Sequence, residues 1–181
     1  MMKYVQADYA LLHLPARKWK MRMQLAAPWF IQKINEMPEG NRFFDIVLMS
    51  TFMDVAVFRA LAFQIRGWNP ETRYFTYFHE NQFAYPTVLS KATTHQFASI
   101  NFTTALASDS VAFNSNFNRE SFLHQCRNYI GKAADMQLFK ELDGIARKSL
   151  VLYPGLDFQT LDMIDKPAED IDKPLIIWNH R

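Results

Sequence analysis

The chain has 181 residues, a formal net charge of +2, 49% hydrophobic residues and 15% aromatics, 16 of them Phe. That suffices for one domain with a real core and excludes low-complexity disorder. A single cysteine, Cys126, excludes an internal disulfide framework and fits a reducing compartment.

No apolar stretch reaches the roughly 18 residues of a membrane span. The N-terminus also lacks the basic start and apolar run of a signal peptide. A cytoplasmic protein is expected. The charge is unevenly spread. Residues 1–35 carry Lys3, Arg17, Lys18, Lys20, Arg22 and Lys33 against Asp8, a balance of +5. Residues 157–172 carry six acids against Lys166, a balance of −5 that reads as a solvated linker.

In chain order, Tyr9 to Leu14 is the first predicted strand, closed by Pro15. The segment from Leu14 to Arg22 then interleaves cations with Trp19. Phe43 to Ser50 is a stronger strand. Asp54 to Ile65 is an amphipathic helix with Val55, Phe58, Leu61, Ala62 and Ile65 on one face and Asp54 as its cap. Arg73 to His79 is an aromatic, β-favouring strand. A helix from about Thr93 to Leu106 follows, then a strand from Ser110 to Asn114 and a helix from Asn118 to Ile130. Cys126 falls in that helix and reads as a buried thiol rather than a nucleophile. Asp135 to Arg147 is a further helix, weakened by Gly144. Ser149 to Tyr153 and Pro174 to Trp178 are the last two strands.

This alternation predicts an α/β fold: a parallel sheet with crossover helices, its apolar strands covered on both faces. Ligands of such sheets bind beyond the carboxyl ends of the strands. Three polar clusters fall there: Ser50-Thr51, His79 to Gln82, and Asn114 to Asn118. Neither a G-x-G-x-x-G turn nor a Walker-type loop is present, so dehydrogenase and P-loop readings have no motif behind them. The five histidines show no metal-ligand spacing, and no metal is expected.

His79 can donate or accept a hydrogen bond, and Glu80 can accept from sugar hydroxyls or orient the imidazole. Asn81 and Gln82 complete that lip. An ordinary capped loop is the competing account. Asn114 and Ser115 end another strand where a helix begins, and Asn116 or Asn118 could simply cap that helix. Arg17, Lys18, Trp19, Lys20 and Arg22 combine phosphate-binding cations with a stacking surface, which would suit RNA. A solvated loop anchored by one Trp would look the same.

Four segments occur in a characteristic order: LPARKW, YFHENQ with Tyr85-Pro86 just after, VAFNSNFNRESFL and IIWNHR. Together they resemble the tRNA-queuosine α-mannosyltransferases, glycosyltransferases of the retaining GT-B type. The resemblance runs from about Leu14 to Arg181. It implies the N-terminal half of a GT-B enzyme: a Rossmann-like acceptor-side domain over residues 1–156, an acidic linker over 157–173, and the start of a donor-binding domain at 174–181. It further implies transfer of mannose from GDP-mannose to queuosine in tRNA, with no cofactor and no catalytic metal. By the same resemblance His79 is the cleft histidine that contacts the donor sugar. Glu80, Asn81, Gln82, Asn114 and Ser115 are further cleft residues. Arg181 begins a phosphate-binding segment, and Arg17, Lys18 and Trp19 match the early basic-aromatic motif.

Two departures accompany the resemblance. The usual first strand with its glycine-containing turn is missing before Tyr9, and the chain stops at Arg181 as the second domain would begin. A fragment, inactive alone, is therefore expected, and its open half-cleft would favour homo-oligomers. A non-catalytic RNA- or protein-binding Rossmann-like module stays open as the other account.

Overall fold

The structure is a computed structural model that describes residues 5–15, 18–84, 91–133 and 135–155. The predicted strand Pro174 to Trp178, the acidic segment and Arg181 lie outside the described residues, as does Arg17.

Helix α1 spans Trp19–Asn35. It replaces the basic-aromatic loop with a helix that begins at Trp19. Pro28 lies inside it, where a missing N–H would ordinarily break the ladder. Packing explains why the helix persists. Met23, Ala26, Ala27 and Ile34 fall on one helical stripe and are all buried. Lys18 precedes it in the left-handed region at φ 50°, and its carbonyl accepts from Met21 and Arg22 N–H.

Strand β1 is Ile46–Ser50 and helix α2 is Val55–Ala62. Asp54 caps α2 as expected, its side chain accepting from Val57 N–H at 3.1 Å. Strand β2 is Arg73–Phe78, helix α3 Lys91–Ala107 and strand β3 Ser110–Phe113. Helix α4 is Asn116–Ile130. It starts two residues before the predicted position because Ser115, in extended backbone, is the cap: its Oγ accepts from Asn118 N–H at 3.1 Å. Helix α5 covers only Phe139–Arg147, and β4 is Ser149–Val151.

The four strands form one parallel sheet in the order β1-β2-β3-β4. The expected Rossmann-like α/β sheet is therefore present. One strand differs. Residues 9–14 form no strand; Leu12 and Leu14 only lean on the core. Coverage also differs from expectation. With strands in simple sequential order, right-handed crossovers all fall on the same face. Burial agrees: Met49, Tyr74, Thr76, Phe78, Val111 and Phe113 are buried, while Ile46, Leu48 and Leu150 on alternate positions are exposed.

Two clusters form the core. One gathers α1, α2 and β1 around Phe58, Trp68 and Tyr74, with Trp68 Nε1 donating to Tyr74 Oη at 3.2 Å. The other stacks Phe78, Phe113 and Phe122, with ring centroids 4.9 to 5.4 Å apart. Cys126 is buried in the second cluster, and burial pushes its thiol well above the ordinary value. It is a core residue, as its sequence context suggested. Phe122→Ala should cost about 3–5 kcal/mol, because the Phe78 and Phe113 rings cannot collapse into the space. Urea unfolding measures this, and a loss below about 1 kcal/mol would mean the cluster does not hold the sheet to α4.

Candidate functional site

The carboxyl ends of β1, β2 and β3 bring the three polar clusters to one edge. Each is a loop whose backbone groups leave the sheet ladder and need other partners. Two buried asparagines from two different helices supply them.

Asn118, in the first turn of α4, uses its whole amide. Its Oδ1 accepts from Asn81 Nδ2 at 2.7 Å. Its Nδ2 donates to the Phe78 carbonyl at 3.0 Å and to Asn114 Oδ1 at 2.9 Å. Asn114 Nδ2 then donates to the His79 carbonyl at 2.7 Å. The β2 and β3 loops are thus tied together around one side chain. Asn101, in α3 and fully buried, does the same between β1 and β2. Its Oδ1 accepts from Gln82 N–H at 2.8 Å, and its Nδ2 donates to the Thr51 carbonyl at 3.3 Å. Thr104, one turn on, accepts from Val55 N–H and donates to the Met53 carbonyl.

The lip therefore divides by role. Asn81 is 4% exposed, and its amide is consumed internally: besides the bond to Asn118, its Oδ1 accepts from Ala84 N–H at 3.0 Å. It braces the loop, and that geometry departs from the expected ligand contact. Gln82 is also buried; its Nε2 donates to Glu80 Oε1 at 3.3 Å. His79 is exposed at the edge, its ring set edge-on to Tyr77 at 4.7 Å. Tyr77 Oη donates to the Leu152 carbonyl at 2.8 Å, so the ring under His79 is itself anchored. Glu80 is half-buried, and desolvation raises its carboxyl above the ordinary value; His79 and the Gln82 amide oppose that shift. Asn114 and Ser115 are half-buried beside them.

What faces outward is His79, the Glu80 carboxyl, and the rim of Asn114 and Ser115. An imidazole, a carboxyl and an amide on a rigid edge can orient a polyhydroxylated ligand through several hydrogen bonds. Among the described residues no group of three His, Cys, Asp or Glu could hold a metal ion. No helix of the described residues is long and apolar enough to cross a membrane.

The early basic segment flanks the start of α1 and reaches a cavity that also contains Ser50, at the carboxyl end of β1. Lys18 and Lys20 are exposed around the start of α1, and Arg22 lines that cavity. Sequence reasoning missed Asn101, Thr104 and Asn118 as organisers. The signal was available: Asn101, Thr104, Ala105 and Ser108 repeat at helical spacing in a stripe that should be apolar.

A parallel sheet flanked by helices, with polar loops braced at its carboxyl edge, defines a Rossmann-like α/β domain. Similarity to known proteins narrows this. The family model described as tRNA-queuosine alpha-mannosyltransferase N-terminal matches residues 1–156. The tRNA-queuosine alpha-mannosyltransferase of Drosophila melanogaster is 30% identical over 184 residues, covering 96% of this chain and 46% of that protein. The chain belongs to the tRNA-queuosine α-mannosyltransferase family and corresponds to its N-terminal domain. It spans about half the length of that curated relative. No solved structure matches it significantly.

Asn118→Asp preserves shape but removes the Nδ2 donor, setting carboxylate oxygen against the Phe78 carbonyl and Asn114 Oδ1. It should destabilise by about 1–3 kcal/mol in chemical denaturation at neutral pH. A change within about 0.5 kcal/mol would show that the network does not hold the lip.

Proposed function

We propose that this chain is the acceptor-side half of a retaining GT-B glycosyltransferase that moves mannose from GDP-mannose to queuosine in tRNA. The observation that carries the reading is the family match over residues 1–156, whose YFHENQ motif forms the lip at the sheet's carboxyl edge. In this reading residues 1–156 form the acceptor domain, 157–173 a linker, and 174 onward the start of the donor domain. The remaining half would supply most of the donor contacts, and the 181-residue chain would not turn over alone. The enzyme would work in the cytoplasm, without a metal.

The chemistry assigned to this edge is modest. His79 orients the donor sugar from an exposed, ring-supported position, and Glu80 and Asn114 hold hydroxyls. An acceptor hydroxyl attacks from the face that the departing phosphate leaves, its proton passing toward the phosphate oxygen. Cations of the second domain, with Arg181, would neutralise that phosphate. Arg17, Lys18, Trp19, Lys20 and Arg22 would hold the tRNA backbone.

The test is an enzyme assay on the longer family polypeptide bearing this domain, with GDP-mannose and queuosine-containing tRNA. Nucleoside mass spectrometry should show the mannosylated product; a folded protein giving none would overturn the assignment. His79→Ala in that protein should lower turnover by about 10²-fold or more and leave the melting temperature nearly unchanged. Equal losses in both would make His79 a structural residue. Replacing Arg17, Lys18 and Lys20 together by Ala should weaken tRNA affinity and reduce the slope of log affinity against log salt by about 2–3. An unchanged slope would remove this cluster from the RNA contact.

A further inference from the structure

Side chains alternate along a strand, so the buried set Tyr74, Thr76 and Phe78 of β2 leaves Phe75 and Tyr77 on the opposite face of the sheet. Tyr77 is half-buried there and belongs to neither core cluster. Both ends of its side chain are nevertheless engaged. The ring meets the imidazole of His79, two residues on, with centroids 4.7 Å apart and planes at 83°. The Oη donates to the Leu152 carbonyl at 2.8 Å.

That bond spans a strand. Tyr77 is on β2, Leu152 follows β4, and β3 lies between them. The register sets Ala112 of β3 directly beside Tyr77. A methyl side chain at that point leaves the phenol room to lie over β3, where a branched or aromatic one would hold it off. Leu152 is itself placed by the sheet, its N–H donating to the Phe113 carbonyl at 2.8 Å. Tyr153, the next residue, accepts from Asn116 Nδ2 at 3.4 Å. The carbonyl that receives Tyr77 is therefore fixed by β3, and the residue after it is tied to α4. His79 is exposed, so the anchored ring beside it narrows its choice of rotamer.

We propose that Tyr77 is a positioning residue. Held through its Oη by the Leu152 carbonyl, it sets the imidazole of His79 in the orientation that meets the donor sugar. This rests on the reading in which His79 orients that sugar, and Tyr77 acts through His79 rather than on the substrate. Misplacement by about 1 Å at a reacting centre can cost about 10²-fold in rate. The swing of an unanchored phenol is large enough to matter on that scale.

Two substitutions separate the parts of the device. Tyr77→Phe keeps the ring and removes the bond, and Tyr77→Leu removes the ring. In the 181-residue chain, NMR reads the ring protons of His79, which the adjacent aromatic ring displaces from their free-imidazole positions. Tyr77→Phe should shift them part of the way back and Tyr77→Leu the rest. The resonances of His124, away on α4, should stay in place, with far-UV circular dichroism confirming the fold. In the longer family polypeptide, with GDP-mannose and queuosine-containing tRNA, Tyr77→Phe should lower kcat by about tenfold or more and leave the KM for tRNA within about twofold. In a His79→Ala background the same substitution should cost nothing further. Unmoved His79 resonances in Tyr77→Phe would overturn the proposal. So would a loss in kcat that adds in full to that of His79→Ala. If the resonances move as expected but no mannosylated product forms, the proposed function fails and the setting of the imidazole by Tyr77 stands, so the two failures are distinguishable.

Discussion

A buried amide must find partners for its oxygen and both its hydrogens, and the carboxyl edge of this sheet is organised by that requirement. Parallel strands end by turning their backbone groups out of the ladder. Asn118 and Asn101 collect those groups from three loops and hold them against α4 and α3. Because each side chain is engaged on both ends, moving one loop breaks bonds in another. The outward-facing residues inherit that rigidity. His79 gains a fixed backbone carbonyl through Asn114 and a fixed ring neighbour through Tyr77. A site that orients a ligand by several hydrogen bonds requires such a support.

Much of the fold was legible because periodicity and capping chemistry agree in it. The Asp54 cap of α2 and its buried Val55, Phe58 and Ala62 could be read, although the helix ends at Ala62 rather than Ile65 and Leu61 is only half-buried, and β2 and β3 stood within a residue of their predicted ends. Helix α1 was not read as a helix. Its basic start and Pro28 suggest a loop, although Met23, Ala26, Ala27, Phe30, Ile31 and Ile34 already trace a helical stripe. Tertiary packing decided there against a local signal. The segment 9–14 failed in the opposite way. It has strand propensity, but a strand exists only with a neighbour to pair with, and none of the described residues fills that place.

The candidate site was legible as a location and less so as a division of labour. Four polar residues in a row, His79 to Gln82, gave no sign of which would point inward. The structure sends Asn81 and Gln82 to the interior and leaves His79 outside. What distinguishes them is the partner at a distance of 19 to 37 residues, Asn101 or Asn118, and no local pattern carries that. Family membership places this edge in the N-terminal domain of a tRNA-queuosine α-mannosyltransferase family member.

The two buried asparagines brace the lip as a rigid edge. Native-state amide hydrogen exchange at Gln82, Ala84 and Asn114 tests this most directly. Their N–H groups donate to Asn101, Asn81 and the Phe78 carbonyl, respectively. These loop amides should exchange as slowly as the strand amides of β2 and β3, opening only with the sheet itself. Exchange at the rate of exposed loops, while the strands remain protected, would contradict it.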